Sequence, residues 1–370
     1  MSTWILHLDA PGTGPRVAVK DLIDVVGTPT TGGSRVLASM AAPAKDDALC
    51  LAGLRAADAA IVGKANLHEL ACGGTGINPH FGTPVNPFDP TLIPGGSSSG
   101  NAVALANHEV DVAIGTDTAG SIRTPSACCG TVGLKTTWGR LPSTGVWPLA
   151  PSLDVVGPMA RDVRGVIDGM ALLEPGFAIA PAAAGQIGRV RVAEVDPVID
   201  AAVDQLLAAS ELAVVDVELP GWDAAADAAW AVMFHEVWRV DRHLYEHDAA
   251  GLGDDVRERL EQGRGVAEVV YRVSLARQQV WRDELAVALR ETSVLAWPTL
   301  AVFPTRLDDP APDTRRTNIG VNLAGHPSLA LPVPAGGSIP ASVQLMGPDG
   351  SEELLCATAL VLEAAARSLV

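Results

Sequence analysis

Apolar residues in the first half of the chain come in short runs cut off by turn formers, whereas much of the second half repeats them at helical spacing. After the turn-rich "DAPGTGP", "RVAVK" at 16–20 predicts a short strand, and "AAIVGKAN" at 59–66 predicts a second, ending at Gly63. From Ala71 to Gly100, Gly, Asn and Pro recur every few residues. So long a loop within a packed domain is usually functional or disordered, and it marks a site region. "NAVALANHEVDVAIGTDTAGS" then predicts a helix from Asn101 or Ala102 and a strand in "VDVAIG" that runs into a second glycine turn. "PGFAIAPAAAGQIG" at 175–188 reads as a connection between two halves. Beyond it the pattern predicts a strand at 189–194, a helix from Pro197 to Ser210 and a strand at 213–218, a βαβ-like unit. Residues 222–292 read as mostly helical, with periodic apolar positions in "VAEVVYRVSLARQQVWRDELAVALRE". "VLAWPTL" at 294–300 and "SVQLMG" at 342–347 read as buried strands, and a helix over 352–368 follows.

Composition narrows what such a chain can do. With 370 residues, 48% of them apolar and 19% charged, there is material for two domains or one large α/β domain. A net charge of -17 argues against a nucleic-acid partner, because phosphate binding needs clustered Lys and Arg. No run of about 18 uncharged apolar residues occurs, and "MSTWILHLDAPG" lacks a basic segment followed by a full apolar one, so no membrane association and a cytoplasmic location are expected. The five cysteines, at 50, 72, 128, 129 and 356, have neither metal-ligand spacing nor a disulfide pattern and read as small, reduced core residues.

Two serine-bearing turns compete as the seat of chemistry. Gly96-Ser97-Ser98-Ser99-Gly100 satisfies G-x-S-x-G, with Ser98 as the nucleophile of a strand-turn-helix elbow, but Pro87, Pro90 and Pro94 deny it a preceding buried strand. No G-K-[ST] follows the run, so it is not a phosphate cradle either. In "GTDTAGSIRTPS", Ser121 directly follows Thr118, Ala119 and Gly120, small residues whose backbone N–H groups suit an oxyanion hole. A serine hydroxyl needs a base, and no histidine lies in either turn. Lys20 is the alternative, since burial at the end of an apolar strand would favour its neutral form. "GPRVAVK" imitates a kinase lysine strand, but the chain has no H-R-D-L or D-F-G. His235, His243 and His247 lie on a helical stretch without a completing carboxylate pattern and read as surface residues. Phe81, Trp138, Trp147 and Trp297 could line an apolar pocket or simply fill the core.

Taken together, the blocks "RVAVKDLIDVVGTPTTGGS", "GKANLHELACGGTGINPHFGTPVNPFDP", "IPGGSSSGNAVALA", "AIGTDTAGSIRTPSACCGTVGLKTTWGR" and "PSLDVVGPMARDV" resemble the amidase signature family. The resemblance resumes in "NLAGHPSLALPVP" and "SVQLMGPDGSEELLCATALVLE". It implies an α/β fold with one large twisted mixed sheet covered by helices on both faces. It further implies one domain over 1–370, with a catalytic core at about 14–165 and 294–365 and a shortened helical region at 165–293. Motif against motif, the nucleophile falls on Ser121, a bridging serine with a cis peptide on Ser97, and the lysine on Lys20. The oxyanion donors fall on the N–H groups of Thr118, Ala119, Gly120 and Ser121, with Ser98, Asp117 and Arg123 in bracing positions. The implied activity is hydrolysis of a small carboxamide through an acyl-serine, with no metal or cofactor, in a monomer or homodimer. The rival readings are a glutamine-hydrolysing subunit of a tRNA-dependent amidotransferase and a non-catalytic member of the fold. Ser99 and Ala119 stand where the family commonly has glycine, which would matter if either needed a positive φ.

Overall fold

The structure, a computed structural model, describes residues 2–9, 12–310 and 316–369; Ala10 and Pro11, in the turn before the first expected strand, lie outside them. Among the described residues one mixed sheet holds every strand. In chain order these are β1 (Trp4–His7), β2 (Arg16–Lys20), β3 (Ala60–Ala65), β4 (Val112–Asp117), β5 (Val132–Lys135) and β6 (Val155–Ala160). β7 (Gln186–Val190), β8 (Ala213–Val217), β9 (Val294–Pro298), β10 (Ser328–Val333) and β11 (Ala341–Met346) complete it. Across the sheet the order is β1-β3-β2-β4-β6-β5-β10-β11-β9-β7-β8. β2 runs parallel to β3 and β4, β7 runs parallel to β8 and β9, and the strands between these groups pair antiparallel.

Side-chain size decides how each face is covered. Alternate strand residues point to opposite faces. Val17, Val19, Ile61, Val112 and Ile114 pack with Leu54, Leu172 and Leu173, so the helices at Ala52–Ala56 and Val163–Leu173 cover that face. On the other face Ala18, Ala65 and Ala113 leave space, and the helices at Ser99–Ala106 and Arg123–Cys129 settle close against them. Those two helices begin directly after the two serine turns. The sheet's small residues therefore set how near the serines come to β2 and β4.

The same division continues across the sheet. Val294 and Ala296 face the helices at Pro197–Ala209 and Glu352–Arg367, while Leu295 and Trp297 face a helical layer containing Trp222–Asp248, Asp254–Gly265, Glu268–Thr292 and Arg316–Ala324.

Several expected boundaries move. β7 spans 186–190 instead of 189–194, and the helix expected from 101 begins at Ser99. β1, β5, β6 and β10 were not expected. β6 hides behind Gly157 and Pro158, and Pro158 is tolerated because β5 pairs with β6 only through Val132 and Gly133. His235 is a correction: it is buried, stacked on Tyr271 with ring centroids 4.2 Å apart, whereas His243 and His247 are exposed as expected. All five cysteines are buried.

Candidate active site

β2, an inner strand between β3 and β4, ends at Lys20, which has no exposed surface. Its Nζ lies 2.7 Å from Ser97 Oγ and 2.8 Å from Thr116 Oγ1, so its neighbours are hydroxyls and not carboxylates. Burial pushes its pKa down to about 7, against the upward pull of the more distant Asp117 and Asp154. The next residue, Asp21, turns the other way and pairs with the buried Lys64 at 2.9 Å. Asp21 also accepts the Thr31 N–H at 3.0 Å, which ties the strand end to the following turn.

The loop facing Lys20 is built around Gly96 and Ser97, which are joined by a cis peptide bond. A Cβ on Gly96 would stand 2.7 Å from the Gly76 nitrogen, so the loop closes only with glycine there. Ser97 O accepts the N–H of His68 at 3.0 Å and of Ser99 at 2.9 Å, and the Ser97 hydroxyl faces Lys20. Ser98 takes a different part. Its N–H donates to Ser121 O at 3.1 Å and its hydroxyl donates to Thr116 O at 3.4 Å, joining the two serine turns. No strand precedes Ser98 among the described residues between 66 and 98, so the structural context of a nucleophile elbow is missing.

The second turn is organised by Asp117 at the end of β4. Its carboxylate accepts the Gly120 N–H at 2.8 Å and the Ile122 N–H at 3.1 Å, and it forms a two-pronged pair with Arg123 at 2.9 and 3.0 Å. Burial would raise the Asp117 pKa, but the Arg123 guanidinium overrides it and holds the carboxyl well below the usual range. Arg123 is itself fully buried and also donates to Gln344 Oε1 at 2.9 Å, Asn322 Oδ1 at 2.6 Å and Asn318 O at 3.2 Å. Asn322 returns a bond of 2.8 Å to Asp117. Of the four N–H groups expected as oxyanion donors, that of Gly120 donates to Asp117, and those of Thr118, Ala119 and Ser121 have no protein acceptor among the described residues. The Ser121 hydroxyl is buried and likewise without a hydrogen bond among them. Neither Ser99 nor Ala119 has a positive φ, so a side chain is tolerated where the family commonly has glycine.

A cavity of about 130 Å³ borders this assembly, lined by Leu22, Thr116, Thr118, Trp138, Trp147 and Asp154 among others. It reaches the site through Thr116 and Thr118 and not through the serines themselves. Asp154, buried and with its pKa raised by that burial, accepts the Thr118 hydroxyl at 2.6 Å. Of the four aromatic candidates, Trp138 and Trp147 line this cavity; Trp297 lies in the core with its indole N–H on Thr317 O at 2.9 Å, and Phe81 is absent from the lining. Sequence reasoning missed Thr116, Asp154, Asn318, Asn322 and Gln344. Thr116 stands in plain view five residues before Ser121, but nothing local marks a hydroxyl that will meet a lysine 96 positions away.

Fold and sequence together define a hydrolase of carbon–nitrogen bonds. Residues 10–174 and 185–356 match the Amidase family, and the chain belongs to it. It is 36% identical over 388 residues to the 2-amino-5-chloromuconic acid deaminase of Comamonas testosteroni, covering 96% of this chain and 82% of that one. It is 32% identical over 410 residues to a glutamyl-tRNA(Gln) amidotransferase subunit of Halobacterium salinarum, covering 96% of each. A crystal structure of an amidase superposes with a TM-score of 0.87 at 30% identity, over 95% of this chain and 84% of the other.

Proposed function

We propose that this chain is a cytoplasmic amidase that hydrolyses a small carboxamide, with Ser121 as nucleophile, Ser97 as proton relay and Lys20 as base. The observation that carries the reading is the fully buried lysine whose ammonium nitrogen meets the Ser97 hydroxyl at 2.7 Å. Neutral Lys20 accepts the Ser97 proton as Ser97 takes that of Ser121, and Ser121 Oγ bonds to the amide carbon. The oxyanion is received by N–H groups of Thr118, Ala119 and Ser121, and Gly120 instead keeps the turn in shape through Asp117. Collapse breaks the C–N bond, and the relay returns the proton to the departing nitrogen, as ammonia from a primary amide. Water then cleaves the acyl-serine by the reverse proton path. Ser98, Asp117 and Arg123 act by bracing the two turns.

A second reading, a glutamine-hydrolysing amidotransferase subunit, draws support from the Halobacterium salinarum relative. Ammonia release separates the two: a stand-alone amidase turns over simple carboxamides by itself, whereas the subunit prefers glutamine and depends on a co-purifying partner. The triad is tested by labelling with a fluorophosphonate and locating the adduct by mass spectrometry. The expected result is modification at Ser121 that disappears in Lys20→Ala, together with loss of amide hydrolysis in Ser121→Ala. Modification at Ser98, or undiminished turnover in either variant, would overturn it.

A further inference from the structure

The helix at Glu268–Thr292 carries two apolar faces. Trp281, Leu285 and Leu289 are buried against the body of the protein. On the opposite side Val269, Val273, Val280 and Val287 remain 66%, 52%, 67% and 53% exposed, with the exposed Ala276 between them. Isolated apolar residues on a surface need no explanation, but a continuous stripe along one helix does. Positions 273, 280 and 287 recur every seventh residue, about 10 Å apart along the axis, with Val269 and Ala276 at the intervening positions of the same heptad.

We propose that this face is the contact between two copies of the chain, packed antiparallel with the twofold axis at Val280. An isologous contact requires that the surface complement itself when reversed. Counted outward from Val280, the reversal sets Val273 of one copy against Val287 of the other, and Val280 against itself. It also sets Arg277 against Asp283. Arg277 has no ion-pair partner among the described residues of its own chain, and Asp283 has a hydrogen bond only from Gln279 there, at 2.8 Å. Two symmetry-related Arg277–Asp283 pairs would flank the central valines. Although the chain carries -17 overall, this helix has four arginines and four acidic residues, so the face presents no net repulsion to its own copy. The same reversal sets Val269 and Ala276 against Glu291 and Glu284, so the apolar contact is confined to Val273, Val280 and Val287, and it is the flanking Arg277–Asp283 complementarity that selects a second copy as the occupant.

The test uses the full chain. Under mild oxidant, Val280→Cys should give a disulfide-linked dimer on a non-reducing gel, and the five native cysteines, all buried, do not compete. By sedimentation equilibrium, Arg277→Asp and Asp283→Arg should each weaken self-association roughly tenfold, and the double exchange should restore it. Amide hydrolysis by each variant at low concentration reports that it has folded. A wild-type chain that sediments as a monomer at concentrations on the order of 100 μM overturns the proposal. So does a dimer that ignores the charge exchange and leaves the Val280→Cys variant unlinked, since it would form through another face.

Discussion

Lys20 and Lys64 lie on adjacent parallel strands, Lys64 opposite Val19 and Lys20 opposite Ala65, and neither has any exposed surface. Since Val19 and Lys20 point to opposite faces, so do the two ammonium groups. Lys64 meets the carboxylate of Asp21 at 2.9 Å; Lys20, one residue before that aspartate, meets two hydroxyls and, at 3.5 Å, the Thr116 carbonyl, but no carboxylate among the described residues, and is pushed down to about 7. Burial alone thus does not distinguish the carboxylate-paired lysine from the one proposed as base. What separates them is whether a carboxylate stands within reach, and the alternation of β2 decides it by sending Asp21 to the Lys64 side. A third buried lysine, Lys135, sharpens the point. It is also lowered to about 7, by burial and then by Arg123, but it donates to the carbonyls of His326 and Thr136 at 2.7 and 3.0 Å, and no hydroxyl accepts from it among the described residues.

The largest predicted effect comes from treating the first two lysines alike. Lys20→Met should reduce kcat/KM by about 10²–10⁴-fold, the usual worth of a positioned base, while thermal stability stays level or rises. Lys64→Met should do the reverse. It strands the buried Asp21 carboxylate, a loss of about 3–5 kcal/mol in denaturant unfolding, and leaves the chemistry of the folded fraction largely intact. If Lys64→Met abolishes turnover in protein that is still folded, the division of labour between the two lysines is wrong.

Next comes the pair that holds the second serine turn. Arg123→Met leaves Asp117 charged, buried and short of its main partner, so destabilisation of about 3–5 kcal/mol is expected. Asp117 arranges both the Gly120 and the Ile122 N–H groups, so kcat should fall along with stability. Asp117→Asn in the presence of Arg123 should retain the fold better and still lower kcat, since an amide cannot serve all these donors. Unfolding curves alongside kcat for the two variants check this, and equal kcat in Asp117→Asn and wild type would count against it.

How much of this was legible beforehand differs between the two lysines. The end of "RVAVK" flagged Lys20 because an apolar strand predicts burial, and the glycine-rich turns flagged Ser97 and Ser121. "GKAN" held Lys64 in equally plain view. Nothing local distinguished it, because its partner is 43 positions away and becomes its neighbour only through strand pairing. Asn318, Asn322 and Gln344 were silent for the same reason: they serve as acceptors for Arg123 from a helix and a strand about 200 residues on. The mixed sheet was implied by the resemblance, while β5, β6 and β10 escaped the hydrophobic pattern because Gly133, Gly157, Pro158 and Pro332 read as interruptions.

The poise of Lys20 also predicts a pH profile. Only the neutral amine can take the Ser97 proton, so kcat/KM should climb about tenfold per pH unit below 7 and level off above it. Stability should follow a related course. Between about 7 and the ordinary lysine range of 10.5, the unfolded chain holds protons that folded Lys20 and Lys135 have released, so stability rises with pH through that window. In Lys20→Met the rise should persist at reduced amplitude, because Lys135 still contributes.

The smallest effect tests the balance within Lys20 itself. Burial lowers its pKa, while Asp117 and then Asp154 pull it back up through their charges. Asp117 cannot be altered without disturbing the turn. Asp154 lies outside the turn's own backbone: its carboxylate accepts the Thr118 hydroxyl and the N–H groups of Leu149 and Ala150, and asparagine keeps an acceptor for the hydroxyl while turning its amide NH2 toward those two N–H groups, so some loss of stability is expected beside the pH effect. Removing one negative charge disfavours the ammonium form, so in Asp154→Asn the ascending limb of the pH profile should move to lower pH. A displacement of a few tenths of a unit, up to about one, is the size expected for a charge that is near but not in contact. Direction is the sharper test here than size. A limb that stayed in place or moved upward would mean that the group titrating near 7 does not feel the Asp154 charge as Lys20 does, and Lys20 would then have to give up its role as the base.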